Sequence, residues 1–248
     1  MRILLFHIGR YFLLIKKVFS RPEKGRVYVN QILEELVAVG FNSVGIVVII
    51  SIFMGAVITL QTAYNLENPL IPVYIIGLGT RDSMILEFSS TVVGLVLAGK
   101  VGSNIASEIG TMRVTEQIDA LEIMGINSAS YLILPKIVAA MFFNPFLTII
   151  SMFVGVFGGW AAGVITGAVS SSAFIYGIQY AFIPFYVVYA LIKTIVFAFI
   201  IVSVSAYQGY YCQGGALEVG RASTKAVVYS SLVILLFNVI ITQMLLAK

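Results

Sequence analysis

The stretch from Phe41 to Gln61, FNSVGIVVIISIFMGAVITLQ, contains no charged side chain. A helix needs about 20 consecutive apolar residues to cross the hydrocarbon core of a bilayer, so this window is long enough to span a membrane. The whole chain agrees with it, because 60% of the 248 residues are hydrophobic and 10% are charged. A soluble domain is about one quarter charged. The sequence therefore predicts an integral membrane protein.

Four further apolar windows follow the first, at 89–107, 131–165, 184–205 and 227–246. Together they predict an all-α membrane protein with about five transmembrane helices. The window at 131–165 contains Pro135 and Pro145, so it is either one tilted or kinked span or a helix that first runs along the surface. Residues 68–88 have three possible interpretations from the sequence: they span the membrane, re-enter it or lie at its surface.

The amino-terminal region, residues 1–38, is predicted to lie at the membrane interface. His7, Arg10 and Lys17 interrupt its apolar residues and fall mostly on one half of a helix. The alternative is a signal peptide, but Arg10 breaks the apolar run and no small-x-small cleavage site precedes Lys16. We predict a single membrane domain, 1–248, with a transmembrane core at 41–248.

Basic residues predict the orientation. With the amino terminus in the cytoplasm, most of the basic residues near the ends of the spans, including Lys100, Arg113 and Arg221, lie on the cytoplasmic side. Only Arg81 and Lys248 then lie outside. This arrangement places the polar segment 108–127 in the cytoplasm and the carboxyl terminus on the other side.

Small residues recur at every fourth position in two of the spans. In lipid, such stripes allow helix backbones to approach closely. They favour packing inside the chain, and a contact between two copies is the alternative. The stripes are Gly94, Ala98, Gly102, Ala106 and Gly110, and then Gly155, Gly159, Gly163 and Gly167.

Glu87 and Lys193 lie in strongly apolar surroundings. An ionised side chain there is costly and usually faces a cavity, a partner charge or the protein interior. We interpret the two as functional residues and expect them to face each other or the same cavity. A structural ion pair and proton coupling are the alternatives.

Several chemistries find no support in the sequence. Cys212 is the only cysteine and His7 the only histidine, so no nucleophile–base pair, disulfide within the chain or CxxC site is indicated. There is no G-x-x-x-x-G-K-[ST] loop, so energy from ATP would have to come from another chain. We expect no cofactor and no metal in this chain. The basic residues are not interleaved with aromatics in a patch that would bind nucleic acid.

The polar segment 108–125, EIGTMRVTEQIDALEIMG, has the pattern of a docking element. If it is one helix, Ile118, Leu121 and Met124 lie near one another, which suits insertion into a partner's groove. Four acidic residues add negative charge to a normally basic side: Glu108, Glu116, Asp119 and Glu122.

The stretch 98–122, AGKVGSNIASEIGTMRVTEQIDALE, followed by Leu134-Pro135, resembles the MlaE (YrbE) permease family. Further matches are Leu60-Gln61, the stretch 191–198, LIKTIVFA, and the stretch 219–230, VGRASTKAVVYS. The resemblance covers roughly residues 29–246. The chain departs from the family at Leu86, where bacterial relatives that handle phospholipids often have arginine, and other branches of the family handle sterols or other lipids.

The resemblance implies the permease subunit of an ABC transporter that moves lipids, often glycerophospholipids, in the bacterial inner membrane. It implies a second permease copy, a cytoplasmic ABC ATPase dimer and a ring of MCE-domain subunits outside, and leaves open a small regulatory subunit on the ATPase. The implied coupling residues are Glu108, Arg113, Glu116, Gln117, Asp119, Leu121 and Glu122. The expected transport path contains Gln61, Tyr64, Glu87 and Lys193. A stand-alone secondary transporter, which would usually show an internal repeat, and a membrane scaffold are the alternatives.

Overall fold

A computed structural model describes the backbone of residues 2–20, 25–66 and 71–246, and the side chains of residues 5–20, 28–66 and 71–246. Over these residues the chain forms eight helices and no strand, which confirms the predicted all-α class. Residues 67–70, which include the first residues of the segment 68–88, lie outside the described residues.

Five of the helices are long and apolar enough to cross a membrane: α2, α3, α5, α7 and α8. Each extends beyond its apolar window, because polar residues continue the helix past the hydrocarbon region. In chain order, the helices are α1 (Arg2–Val18), α2 (from Gly25–Glu35 through a π-helical segment, Leu36–Phe41, to Asn42–Asn65), α3 (Ile75–Val114), α4 (Gln117–Ile123), α5 (Ser128–Ile165), α6 (Ser171–Gln179), α7 (Phe185–Tyr210) and α8 (Ala216–Leu246).

Helix α3 settles part of the open segment. It runs without a break from Ile75 to Val114 and contains two π-helical segments, Met84–Val92 and Ala98–Gly102. Residues 75–88 are therefore neither a separate re-entrant piece nor a separate surface helix. Helix α5 is likewise continuous through Pro135 and Pro145, which agrees with the single-span alternative for that window.

The expectation of one helix over 108–125 is wrong. Helix α3 ends at Val114, and Glu116 adopts a left-handed conformation with φ 60° immediately before α4 begins. A non-glycine residue rarely adopts this conformation, and it interrupts a right-handed helix. The segment is therefore the end of one long helix followed by a seven-residue helix.

The chain divides into two compact units. Unit 1 contains residues 1–42, 94–143 and 195–247, and its buried core includes Leu14, Ile105 and Ile133. Unit 2 contains residues 43–93, 144–194 and 248, and in it Phe174 of α6 packs with Ile76 of α3.

The two stripes of small residues pack inside these units. In unit 1 a Cβ added to Gly102 would lie 2.8 Å from Ser205 Oγ. In unit 2 a Cβ added to Gly155 would collide with Met84, and a Cβ added to Gly55 would collide with the backbone of Gly155. These contacts agree with packing inside the chain. Gly167 differs, since it has φ 71° in the turn after α5 and open space around it.

Candidate functional site

Glu87 and Lys193 form an ion pair in unit 2. Lys193 Nζ lies 3.0 Å from Glu87 Oε1 and also donates to Tyr189 Oη at 3.0 Å and to the Leu86 carbonyl at 3.2 Å. The Lys193 side chain is completely buried, whereas the Glu87 side chain is 42% exposed. The expected contact between the two residues is confirmed. The open side of the pair presents the carboxylate, and protein covers the ammonium.

The neighbouring side chains hold this pair in place. Glu87 belongs to the π-helical segment of α3, a feature that is frequent at functional sites. Its Oε2 accepts a hydrogen bond from Thr91 at 3.0 Å. An apolar cluster of Ile85, Met152 and Ala190 packs in the same unit. The ammonium therefore lies in the apolar interior, whereas the carboxylate stays partly open to the surroundings.

Gln61 and Tyr64 lie near the end of α2, and both are exposed. In the described part of the chain, no hydrogen bond joins either of them to Glu87 or Lys193. The structure therefore assembles two of the four expected path residues, and the other two lie on the open surface of α2.

A second buried lysine, Lys136, lies in unit 1. It is 3% exposed, and its Nζ lies 2.8 Å from Glu108 Oε2 and also contacts Glu35 Oε1. The sequence pattern singled out neither Lys136 nor Glu35 as a site residue. The available signal was the position of Lys136 directly after Pro135 in an apolar run, since a lysine there also needs a partner.

A groove of about 760 Å³ lies beside this cluster in unit 1. Both carboxylates of the cluster line it, together with Glu34, Asn42 and Lys100. Lys100 donates to the Asn42 carbonyl across it. The groove joins the early part of α2 to the end of α3, where the predicted coupling residue Glu108 lies.

Acidic residues of the segment around α4 bind other parts of unit 1. Asp119 Oδ1 lies 2.7 Å from Arg113 Nη1. Glu122 Oε1 accepts hydrogen bonds from Lys17 Nζ at 2.7 Å, Ser128 Oγ at 2.8 Å and Tyr210 Oη at 3.0 Å. These contacts attach α4 to α1, α3, α5 and α7, so Asp119 and Glu122 position the helix.

The contacts of Glu122 shift two pKa values. The hydrogen bonds from Lys17 and Ser128 lower the pKa of Glu122 from 4.5 to about 2. Burial lowers the pKa of Lys17, but the hydrogen bonds to Glu122 and Tyr210 outweigh burial, and the pKa of Lys17 is raised. Both side chains are therefore charged near neutral pH, which preserves the ion pair.

The apolar residues around α4 are arranged differently from the expected stripe. Ile118 is completely buried, Leu121 is half-buried and Met124 is exposed. Ile123, which the helical pattern did not select, is 87% exposed. The open surface around α4 therefore contains Glu116, Gln117, Ile123 and Met124, and Ile118 anchors the helix instead.

Among the residues that the structure describes, no group of three or more His, Cys, Asp or Glu side chains could hold a metal ion. The sole histidine, His7, places its Nδ1 2.7 Å from Tyr207 Oη in unit 1.

Comparisons with known proteins agree on one family. A family model described as "Permease MlaE" matches residues 32–244. A protein of Rickettsia prowazekii named "Probable ABC transporter permease protein" is 38% identical over 94% of this chain and 88% of its own length. A Synechocystis protein with the same description is 36% identical over 92% of this chain and 86% of its own length. The Arabidopsis thaliana protein "TRIGALACTOSYLDIACYLGLYCEROL 1, chloroplastic" is 31% identical over 86% of this chain and 61% of its own length.

Proposed function

This chain belongs to the MlaE family of ABC transporter permeases, and we propose that it moves lipids, chiefly glycerophospholipids, between the bacterial inner membrane and periplasmic MCE-domain partners. As an ABC transporter permease it is a multi-pass membrane protein and not itself an ATPase, so a partner subunit hydrolyses ATP. The family assignment leaves no support for the alternative of a stand-alone secondary transporter. The proposed orientation has the amino terminus in the cytoplasm and the carboxyl terminus in the periplasm, and the chain uses no cofactor of its own.

The family match is the observation that carries this proposal. The chloroplast relative bears the name of a diacylglycerol lipid, which supports a lipid as cargo. Lipids have an apolar body and a polar headgroup, so a path for them requires apolar walls with few charges. The ion pair of Glu87 and Lys193 among apolar residues suits that requirement.

The ion pair is proposed to act as a gate on the path. Because the half-exposed Glu87 faces outward and Lys193 is covered, an approaching phosphate meets negative charge first. Glu87 must move before the Lys193 ammonium can bind a phosphate. The closed pair would therefore hold back lipid until a conformational change separates the two side chains.

The segment around α4 is proposed to dock the ATPase, with Glu108, Arg113, Glu116, Gln117, Asp119, Leu121 and Glu122 as the coupling residues. The exposed Ile123 and Met124 supply an apolar contact for a groove in the partner. Asp119 and Glu122 are ion-paired to Arg113 and Lys17. These pairs would transmit a force applied to α4 to the rest of unit 1.

A homodimer is proposed as the transporting form, with Gln61 and Tyr64 near the mouth of its lipid cavity. Helices α8 and α2 are the least buried of the five long helices, since 17% and 33% of their most apolar windows are buried inside the chain, against 44–56% for the others. Their open faces have to be covered by lipid or by a second copy. The two partners that complete the proposed system are the ATPase dimer and the MCE-domain ring.

The test is ATP-dependent transfer of a labelled phospholipid by the purified complex in liposomes. Glu87→Lys and Lys193→Glu should each reduce transfer at least about tenfold, because an uncompensated buried charge costs several kcal/mol. The double change should restore assembly, and the ATPase should copurify with it. Ile123→Asp should instead lose the ATPase while the ion pair stays intact.

Ile165→Asp is the matched control for docking, since Ile165 is 84% exposed at the end of α5. It should retain the ATPase. Normal transfer by both single charge variants would exclude Glu87 and Lys193 from the gate. Copurification of the ATPase with Ile123→Asp would exclude α4 as its docking site.

A further inference from the structure

A second, smaller pocket of about 190 Å³ lies in unit 1 between α1, the end of α7 and the start of α8. None of its lining residues belongs to the Glu87–Lys193 pair or to α4. Its polar lining includes His7, Arg10, Tyr207, Tyr211, Glu218 and Lys225.

The pocket carries excess positive charge. Within the described residues, Lys17, Lys136, Arg113 and Arg221 are each bound to a carboxylate. Arg10 and Lys225 form no ion pair in that part of the chain. Glu218, the acid in the pocket, is already bound to Arg221. Two unneutralised cations therefore converge on one small cavity.

The geometry of Arg10 prepares it for an anion. Its guanidinium carbon lies 3.6 Å from the centroid of the Tyr211 ring, so the planar group stacks on the aromatic face. Stacking fixes the orientation of the guanidinium and leaves its N–H edge available for phosphate oxygens. His7 is held beside it by the 2.7 Å contact with Tyr207.

We propose that this pocket binds a phosphate group, separately from the lipid that the permease transports. The headgroup of an anionic phospholipid is the favoured source, because Phe6, Phe12 and Leu13 form an exposed apolar surface on α1. An amphipathic interfacial helix places such residues among acyl chains and its basic residues at the headgroups. Free phosphate shares the chemistry and is the other source.

Cys212, the only cysteine of the chain, lines the pocket and is 6% exposed, so a bound ligand should shield what remains open of its thiol. The probe is modification of this thiol by a small methanethiosulfonate, measured by mass spectrometry on the complex in maltoside detergent, which contains no phosphate. Added phosphatidylglycerol should slow the modification. Each of Arg10→Gln and Lys225→Gln should raise the half-protecting concentration about fivefold, and the double variant about 25-fold.

Lys16→Gln is the matched control, because Lys16 is an exposed cation on the same helix outside the pocket. It should leave the half-protecting concentration unchanged. Protection by inorganic phosphate but not by phosphatidylglycerol would assign the pocket to a soluble phosphate. The proposal is wrong if neither ligand slows the modification, or if Lys16→Gln weakens protection as much as Arg10→Gln. Neither result depends on whether the permease transports lipid.

Discussion

Lys193 in unit 2 and Lys136 in unit 1 are both almost completely buried, but they are neutralised differently. Lys193 contacts one carboxylate, that of Glu87, and its other hydrogen bonds go to neutral oxygens. Lys136 contacts two carboxylates, Glu35 and Glu108. A buried charge is tolerated only when it is paired. Lys193 therefore depends on a single carboxylate, whereas Lys136 keeps one carboxylate if the other is removed.

This difference separates a site suited to switching from one suited to anchoring. Moving Glu87 leaves a buried ammonium without its carboxylate, so the separated state is high in free energy. The pair is therefore expected to be either closed or fully separated. Moving Glu108 leaves Lys136 paired with Glu35. We therefore expect the Glu87–Lys193 pair to respond to lipid and the Lys136 cluster to hold α2, α3 and α5 together throughout transport.

The largest expected effect belongs to Glu87→Gln. It leaves Lys193 buried without a carboxylate and should lower the free energy of unfolding by about 3–5 kcal/mol. Lys193→Met should cost less, because the Glu87 side chain is 42% exposed and its carboxylate can then bind water or a headgroup. Unfolding of the purified permease in mixed micelles with increasing SDS would measure both changes. A greater loss in Lys193→Met than in Glu87→Gln would contradict this account of the pair.

A smaller effect is expected when one acid of the Lys136 cluster is removed. Glu35→Gln or Glu108→Gln alone should cost about 1 kcal/mol, since the remaining carboxylate still neutralises the lysine. The double variant should lose more than the sum of the two single changes, which a double-mutant cycle detects. Strictly additive losses would mean that the two acids do not share Lys136 and that the contrast with Lys193 fails.

The smallest effect should come from Lys17 and Glu122, whose side chains are 43% and 42% exposed. Lys17→Met should cost about 1 kcal/mol or less, because solvent screens an exposed pair. The depressed pKa of Glu122 means that its contribution is present above about pH 4.5 and is lost as the pH falls toward about 2. The raised pKa of Lys17 means that the ammonium keeps its charge, and the pair its contribution, up to a pH above 10.5.

Unfolding of the wild type and of Lys17→Met should be compared at about pH 6 and about pH 3. The difference between the two proteins should shrink at the lower pH. If it stays constant, Lys17 stabilises the protein through packing alone. In that case the Lys17–Glu122 pair does not measure how much an exposed ion pair stabilises the protein, and it cannot be compared with the pairs of the two buried lysines.

Many features of this protein follow from properties of short stretches of sequence. Five apolar windows predicted the five long helices. In hydrocarbon each polar side chain and each peptide group without a hydrogen bond costs free energy, so a spanning stretch must be apolar and helical. The same cost singled out Glu87 and Lys193. They contact each other at 3.0 Å, as expected of opposite charges in apolar surroundings, because pairing offsets part of their desolvation cost.

Other features depend on which residues the folded chain brings together. Lys136 meets Glu35 across 101 positions, and no local pattern specifies such a partner. After the turn at Glu116, α4 buries Ile118 and exposes Ile123, whereas the unbroken helix placed Ile118 on the docking face and did not select Ile123. The sequence by itself determined that the chain crosses the membrane and which charges are costly there. Only the tertiary structure decided which charges meet and which face of α4 is open, because those depend on distances between helices.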